Sequence, residues 1–413
     1  MRRPLILSVV LLGACTDRSS ILDPGDGYER AVADLDRTIA ATLDRAQAQP
    51  TSWTIRGEAA ELYRSRARLS GDWADYAKSQ AQLDLAFAST PEGAGPFLAQ
   101  AALDMTLHRL SAVPSSLDQV EGTVNLDDNS RASILMLQAQ SDLLTDGYTV
   151  AGERISAAMD LHTTVGGHSN AGRLAWVTGD FDTAHAEYDD AQAMYFGRND
   201  EPHAWFHLQR GLMDLDRGRY DDALVHYLDA DAALPGYWLV HEHIAEVLWA
   251  MGDIAEADAI YQDVVARTGA PDLQDTYAEL LMERGRDGRA DELLAAADVS
   301  WQTRIDAFPD AAYGHAVNHY LLTDPERAVV LAQAQLVEQP SAAARTTLAS
   351  ALFGVSRVTE ARAAVELALA TEWRHADTFA LASQIYAADG DIPGAIALCE
   401  QARAMNPTSE CED

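Results

Sequence analysis

Lysine is almost missing from this chain: Lys78 is the only one in 413 residues, and every other basic side chain is arginine. Acid outnumbers base, 64 Asp and Glu against 30 Lys and Arg, for a formal charge of −34. Such a field argues against nucleic acid as a partner, because that binding releases counterions through Lys and Arg. It also repels anionic lipid headgroups and attracts basic proteins; the plainer reading is a solvated face in a salt-adapted or high-GC organism. Cysteine is scarce, with only Cys15, Cys399 and Cys411, too few for a zinc cluster without a matching set of histidines. Strand-like alternation is nearly missing, which leaves a catalytic α/β domain no room. The apolar run Leu5 to Leu12, broken by Ser8, falls far below the roughly 20 residues that cross a bilayer as a helix.

What stands at the start is a short basic segment, Met1-Arg2-Arg3, then that apolar run, then Leu12-Gly13-Ala14-Cys15. These residues resemble a bacterial lipoprotein signal peptide, which is cut before its cysteine. The resemblance implies that residues 1–14 are removed and that Cys15 becomes the lipidated N-terminus of a membrane-anchored protein. Thr16 stands where an aspartate would favour the inner membrane, so the expected location is the cell envelope, on the outer membrane and facing the periplasm. The paired arginines lack the rest of a twin-arginine motif. Residues 15–26, ending Asp23-Pro24-Gly25-Asp26, read as a tether.

Beyond the tether the chain is periodic. Ala184, Ala223, Ala257, Ala290, Ala328, Ala361 and Ala395 lie 39, 34, 33, 38, 33 and 34 residues apart. Gly179, Gly218, Gly252, Gly285 and Gly390 each precede one of these alanines by five positions. A period of this length predicts a helical solenoid. Within each unit the apolar spacing predicts two antiparallel helices: glycine at the turn, alanine where the helices cross, then a large residue at i+4, as in Gly218, Ala223 and Tyr227.

These residues resemble the tetratricopeptide repeat, a 34-residue helix–turn–helix unit. Gly172, Gly211, Ala245, Ala316 and Ala349 occupy its small position in the first helix, and the seven alanines its small position in the second. The match is close over 167–270 and 341–407. It is looser over 271–340, where Asp287 and Pro325 replace a large residue and Trp301 to Phe308 look inserted. The resemblance implies an all-α fold, a right-handed α-solenoid of antiparallel helix pairs. About nine or ten units are expected, preceded by a lone helix near 27–48. The division by residue is an irregular helical part over 27–165, the regular superhelix over 166–407 and a tail over 408–413.

Candidate chemistry is sparse. Gly167-His168-Ser169-Asn170-Ala171 imitates a nucleophile elbow but falls in a helix with no preceding strand. His203 and His207, and His315 and His319, share helix faces without a zinc-protease motif, so no metal, cofactor or catalytic residue is expected. Cys399 and Cys411 form either a disulfide pinning the tail over the last repeat or a buried thiol beside a loose tail.

By the family resemblance, the first helix of each unit lines a concave groove. Carried onto this chain, the groove residues are Trp176, Trp205, Glu242, Glu246, Trp249, Glu279, Tyr320 and Phe353. An aromatic stripe with carboxylates beside it suits other proteins or peptides with apolar anchors and basic flanks; alternatively, the aromatics fill contacts between units. The expected function is a non-enzymatic scaffold lipoprotein of the envelope. The alternative is a subunit, catalytic or not, of an envelope enzyme complex.

Overall fold

A computed structural model describes residues 25–411 except 92, 123–125 and 198–199. Cys15 and the segment 1–14 lie outside the described residues, and with them the lipid-anchor expectation. The described chain contains 21 α-helices and no strand. Helix α1 (Gly27–Ala48) stands alone, and twenty further helices follow as ten antiparallel pairs. The first four pairs are α2 (Trp53–Ser70) with α3 (Ala74–Phe87), α4 (Phe97–Thr106) with α5 (Val113–Glu121), α6 (Asp128–Leu143) with α7 (Tyr148–Leu161), and α8 (Val165–Val177) with α9 (Phe181–Met194). Next come α10 (Glu201–Asp216) with α11 (Tyr220–Ala233), α12 (Trp238–Met251) with α13 (Ile254–Thr268), and α14 (Pro271–Glu283) with α15 (Asp287–Ala307). The last are α16 (Pro309–Thr323) with α17 (Pro325–Glu338), α18 (Ala342–Gly354) with α19 (Val358–Leu369), and α20 (Ala376–Ala388) with α21 (Ile392–Met405).

Local sequence explains the pairing. Gly252 and Gly390 end first helices at φ +92° and +89°, a conformation glycine adopts without steric cost. In two turns the next residue starts the second helix: Asp180 accepts from the Thr183 backbone N–H at 3.2 Å, and Asp391 from that of Gly394 at 3.1 Å. All seven repeat alanines are buried, which lets the paired helices approach closely. Gly211 and Gly172 serve the same contact from the other side. A Cβ on Gly211 would stand 2.3 Å from Cε1 of Tyr227, and one on Gly172 would stand 3.1 Å from Cε2 of Tyr188.

The stretch from Trp301 to Phe308 is not a separate insertion. Helix α15 runs on for 21 residues because its extra turns carry Trp301, fully buried, into the neighbouring unit. The Trp301 indole N–H donates to Asp275 at 2.6 Å, and His319 Nδ1 lies 2.7 Å from the other oxygen of that carboxylate.

First helices repeatedly touch the next first helix, as α2 does α4, α4 does α6, α14 does α16 and α16 does α18. Among the described residues, second helices make no contact of comparable extent with one another. The first helices therefore lie on the inside of the curve. The curve also closes on itself. Tyr28 stacks on Tyr237 at 5.7 Å between ring centres, and the Trp238 indole N–H donates to the Leu69 carbonyl at 3.0 Å. Trp73 and Tyr76 pack on Phe308. The Ser111 N–H and hydroxyl donate to Glu338 at 2.9 and 3.0 Å. Asp146 accepts from the Ala342 N–H at 2.7 Å and from Arg345. The Arg374 N–H donates to the Val177 carbonyl at 2.9 Å, and the hydroxyls of Tyr220 and Thr408 meet at 3.0 Å. These contacts advance in parallel along both stretches, so one superhelical turn is stacked on the next.

Candidate functional site

The inner wall has two electrostatic characters. Toward the C-terminal half, Glu242, His243 and Glu246 of α12 form one cluster: His243 Nδ1 lies 3.1 Å from Glu242 and 2.9 Å from Glu246. Burial pulls the His243 imidazole down, but Glu242, Glu246 and Asp216 together push it up to about 9, so it is a cation at neutral pH. Burial pushes the Glu242 carboxyl up, against the attraction of His243. Tyr227 stacks on His243 from α11. Further along, Glu279 is exposed on α14, and burial followed by the charges of Glu283 and Asp275 pushes its carboxyl up.

Toward the N-terminal half, the first helices α2, α4, α6, α8 and α10 surround a cavity of about 540 Å³, with Tyr188 reaching it from α9. Its charged lining is Arg64, Arg68 and Arg173, and none of the lining residues is Asp or Glu. His108, at φ +55°, completes the wall; burial first, then His315 and Arg173, push its imidazole down to about 4. The basin is not legible in the sequence, because its arginines come from two units about a hundred residues apart and only Arg173 lies in a stretch that matches the repeat closely.

The expected groove residues divide accordingly. Trp205 is half-buried, packs edge-on against Tyr188 and Phe206, and lines the basin. Trp176 is half-buried and donates its indole N–H to Asp216 at 3.1 Å. Glu246 and Phe353 are half-buried and Glu279 is exposed. Trp249, Tyr320 and Glu242 depart from the expectation, being only 8%, 2% and 7% exposed. Trp249 lies under Arg284, and Tyr320 lies under Arg327 and donates to Asp298 at 2.9 Å. The two aromatics fill spaces between units, so there is no continuous exposed aromatic stripe. The carboxylates Glu242, Glu246 and Glu279 lie on the α12–α14 part of the wall, and the lining of the arginine basin has none.

Among the described residues, three groups of His and carboxylate bring their ligand atoms within 4.8 Å of one another: His185, Asp214 and His226; His207, His226 and Asp229; and Glu242, His243 and Glu246. The third is held together by the contacts described above. In the first two, burial pushes the His226 and His207 imidazoles down, with Arg210 adding to it, and Arg217 lies 4.0 Å from Asp214. Those arginines oppose a bound cation. Of the pairs singled out from spacing, His207 meets Gln192 at 3.0 Å, His203 packs on Tyr195, and His319 meets Asp275. Ser169 donates to the Val165 carbonyl at 2.8 Å within α8, the bond of an ordinary helical serine rather than a nucleophile. Cys399 and Cys411 are joined in a disulfide with their Cα atoms 5.8 Å apart, closing the tail against α21.

The repeat pattern now has its structural counterpart, with small residues buried at every crossing and large ones stacked between units. The fold is tetratricopeptide-like. No protein-family model and no curated protein matches the chain. Among solved structures it is similar to yeast Tom70, at 13% identity and a TM-score of 0.41, over 89% of this chain and 97% of that one. It is also similar to a chain of the APC/C hetero-tetramer Cut9–Hcn1, at 14% identity and a TM-score of 0.42, over 87% of this chain and 72% of that one. PilF of Pseudomonas aeruginosa is similar at 19% identity and a TM-score of 0.30, over 51% of this chain and 96% of that one.

Proposed function

We propose that this protein is a binding scaffold whose working surface is the inner wall of its tetratricopeptide-like coil, held at the envelope membrane through a lipid on Cys15. The observation that carries the reading is the placement of Trp205, Glu246 and Glu279 on first helices facing the inside of the curve, with part of each side chain open to solvent. A groove of this kind buries aromatic anchors of a partner and orients it by charge. The partners are other proteins or peptides. The lipid supplies attachment, and no helix among the described residues is long and apolar enough to cross a membrane. In a two-membrane cell the sequence after Cys15 favours the outer membrane, facing the periplasm.

A photo-crosslinking residue placed at Glu279 tests the groove, with the same residue at Val330, exposed on second helix α17, as control. A discrete protein adduct from position 279 in source cells, weakened by Glu246→Arg and missing from position 330, is expected. Equal labelling at both positions, or none at 279, overturns the groove. In the same cells Cys15→Ser is expected to move the protein to the soluble fraction, and membrane retention without detergent would refute the anchor.

A further inference from the structure

The cavity among the first five repeat units has a composition opposite to that of its chain. In a protein carrying 64 acidic residues, its lining presents three arginines and no carboxylate. We propose that this basin binds an anionic group, a carboxylate or phosphate ester, carried on an aromatic or branched aliphatic body. The proposal deepens the binding reading and rests on it, since it takes the inner wall as the working surface.

Arg64 and Arg68 stand four residues apart on α2, where two like charges on one helix face repel. Arg173 faces the same space from α8 and is exposed, with no ion pair or hydrogen bond to another described residue. Arg64 pairs with Glu61, yet its Nε is buried without a partner. Arg68 stands 3.7 Å from Glu201, beyond a hydrogen bond. Tyr188, fully buried, closes the same space from α9, and its unpaired hydroxyl is shared by Tyr227 and Tyr261 at the same place in the next two units.

The geometry restricts the ligand's chemistry. Guanidinium groups match the paired oxygens of carboxylate and phosphate. His108 is neutral at neutral pH, so the positive charge stays on the arginines. Met105, Leu137, Leu144 and Trp205 supply an apolar wall for the ligand's body. The volume of about 540 Å³ lies within the range of small-molecule sites.

The test uses the purified full chain with 8-anilinonaphthalene-1-sulfonate, an aromatic anion, against uncharged N-phenyl-1-naphthylamine. One saturable site for the anion is expected, at least tenfold tighter than for the neutral probe and weakened by added salt. Arg173→Gln should weaken it at least tenfold and Arg64→Gln/Arg173→Gln further, while Arg357→Gln, remote on the surface, should not. Circular dichroism on each variant separates lost binding from lost folding. Phenyl phosphate and an acetylated, amidated Trp-Glu-Glu peptide then compete for the site. Displacement by either supports the proposal, and whichever acts at lower concentration names the anion's source. Equal affinity for the neutral probe, unchanged affinity in the arginine variants, or no displacement by either competitor at millimolar concentration overturns it. Because no cellular partner enters this assay, its failure and the failure of the crosslinking experiment are separate results.

Discussion

His243 shows how much a residue's chemistry here depends on neighbours from other helices. Its own helix supplies Glu242 and Glu246, α10 supplies Asp216, and Tyr227 covers the ring. The folded imidazole holds its proton up to about pH 9, whereas the unfolded one loses it near the ordinary 6.5. Folded protein therefore binds more protons in that interval, and stability falls as pH rises through it. The contribution is fully present below pH 6.5 and lost by about pH 9. Thermal unfolding followed from pH 6 to 9.5 is expected to show a loss on the order of 1–3 kcal/mol, much reduced in His243→Gln. A variant with the wild-type pH profile would show that the proton sits elsewhere. The histidine and its two glutamates can be read directly from the sequence. The enclosing Asp216 and Tyr227 cannot, because they arrive from a different unit.

At the scale of the helix pair, sequence pattern and packing agree closely. The glycines that end first helices, the alanines at the crossings and the tyrosines four residues later occupy the roles their spacing implies. The contact is tight enough to make glycine itself a requirement at some crossings. Gly211→Ala places a methyl 2.3 Å from the buried Tyr227 ring, an overpacking expected to cost about 1–3 kcal/mol. Gly288→Ala, in α15 with nothing within 4 Å of its Cβ, is expected to be neutral or stabilising by up to about 1 kcal/mol. Denaturant unfolding of the two variants side by side measures the difference, and a neutral Gly211→Ala would mean the ring can retreat. The long α15 was the least readable element. Its extra turns look like an insertion until Trp301 is seen to reach Asp275 and His319 in neighbouring helices.

For the whole molecule, the decisive feature is the stacking of one turn upon the next. A solenoid whose units touch only their neighbours unfolds piecemeal. Here hydrogen bonds join residues 169 to 227 positions apart, which couples the two halves. Glu338→Ala/Arg345→Ala removes two of these bridges, to Ser111 and Asp146. The double variant is expected to keep its helicity, show a larger radius of gyration by small-angle scattering, and unfold in two separated steps. An unchanged radius would assign the stacking to the apolar contacts of Tyr28 with Tyr237 and of Trp73 with Phe308. The stacking also shapes the wall: His108 is pushed down partly by His315, more than two hundred residues later.

Period, helix pairing and the small residues at each crossing follow from spacing in the chain, because each is a contact within a unit or with the next one. Curvature does not, since it accumulates from small rotations at every interface and no single residue encodes it. Curvature brings the start of α1 against the turn before α12 and gathers Arg64, Arg68 and Arg173 around one cavity. The character of the binding surface is therefore a property of the coil, while the coil's existence is a property of the repeat.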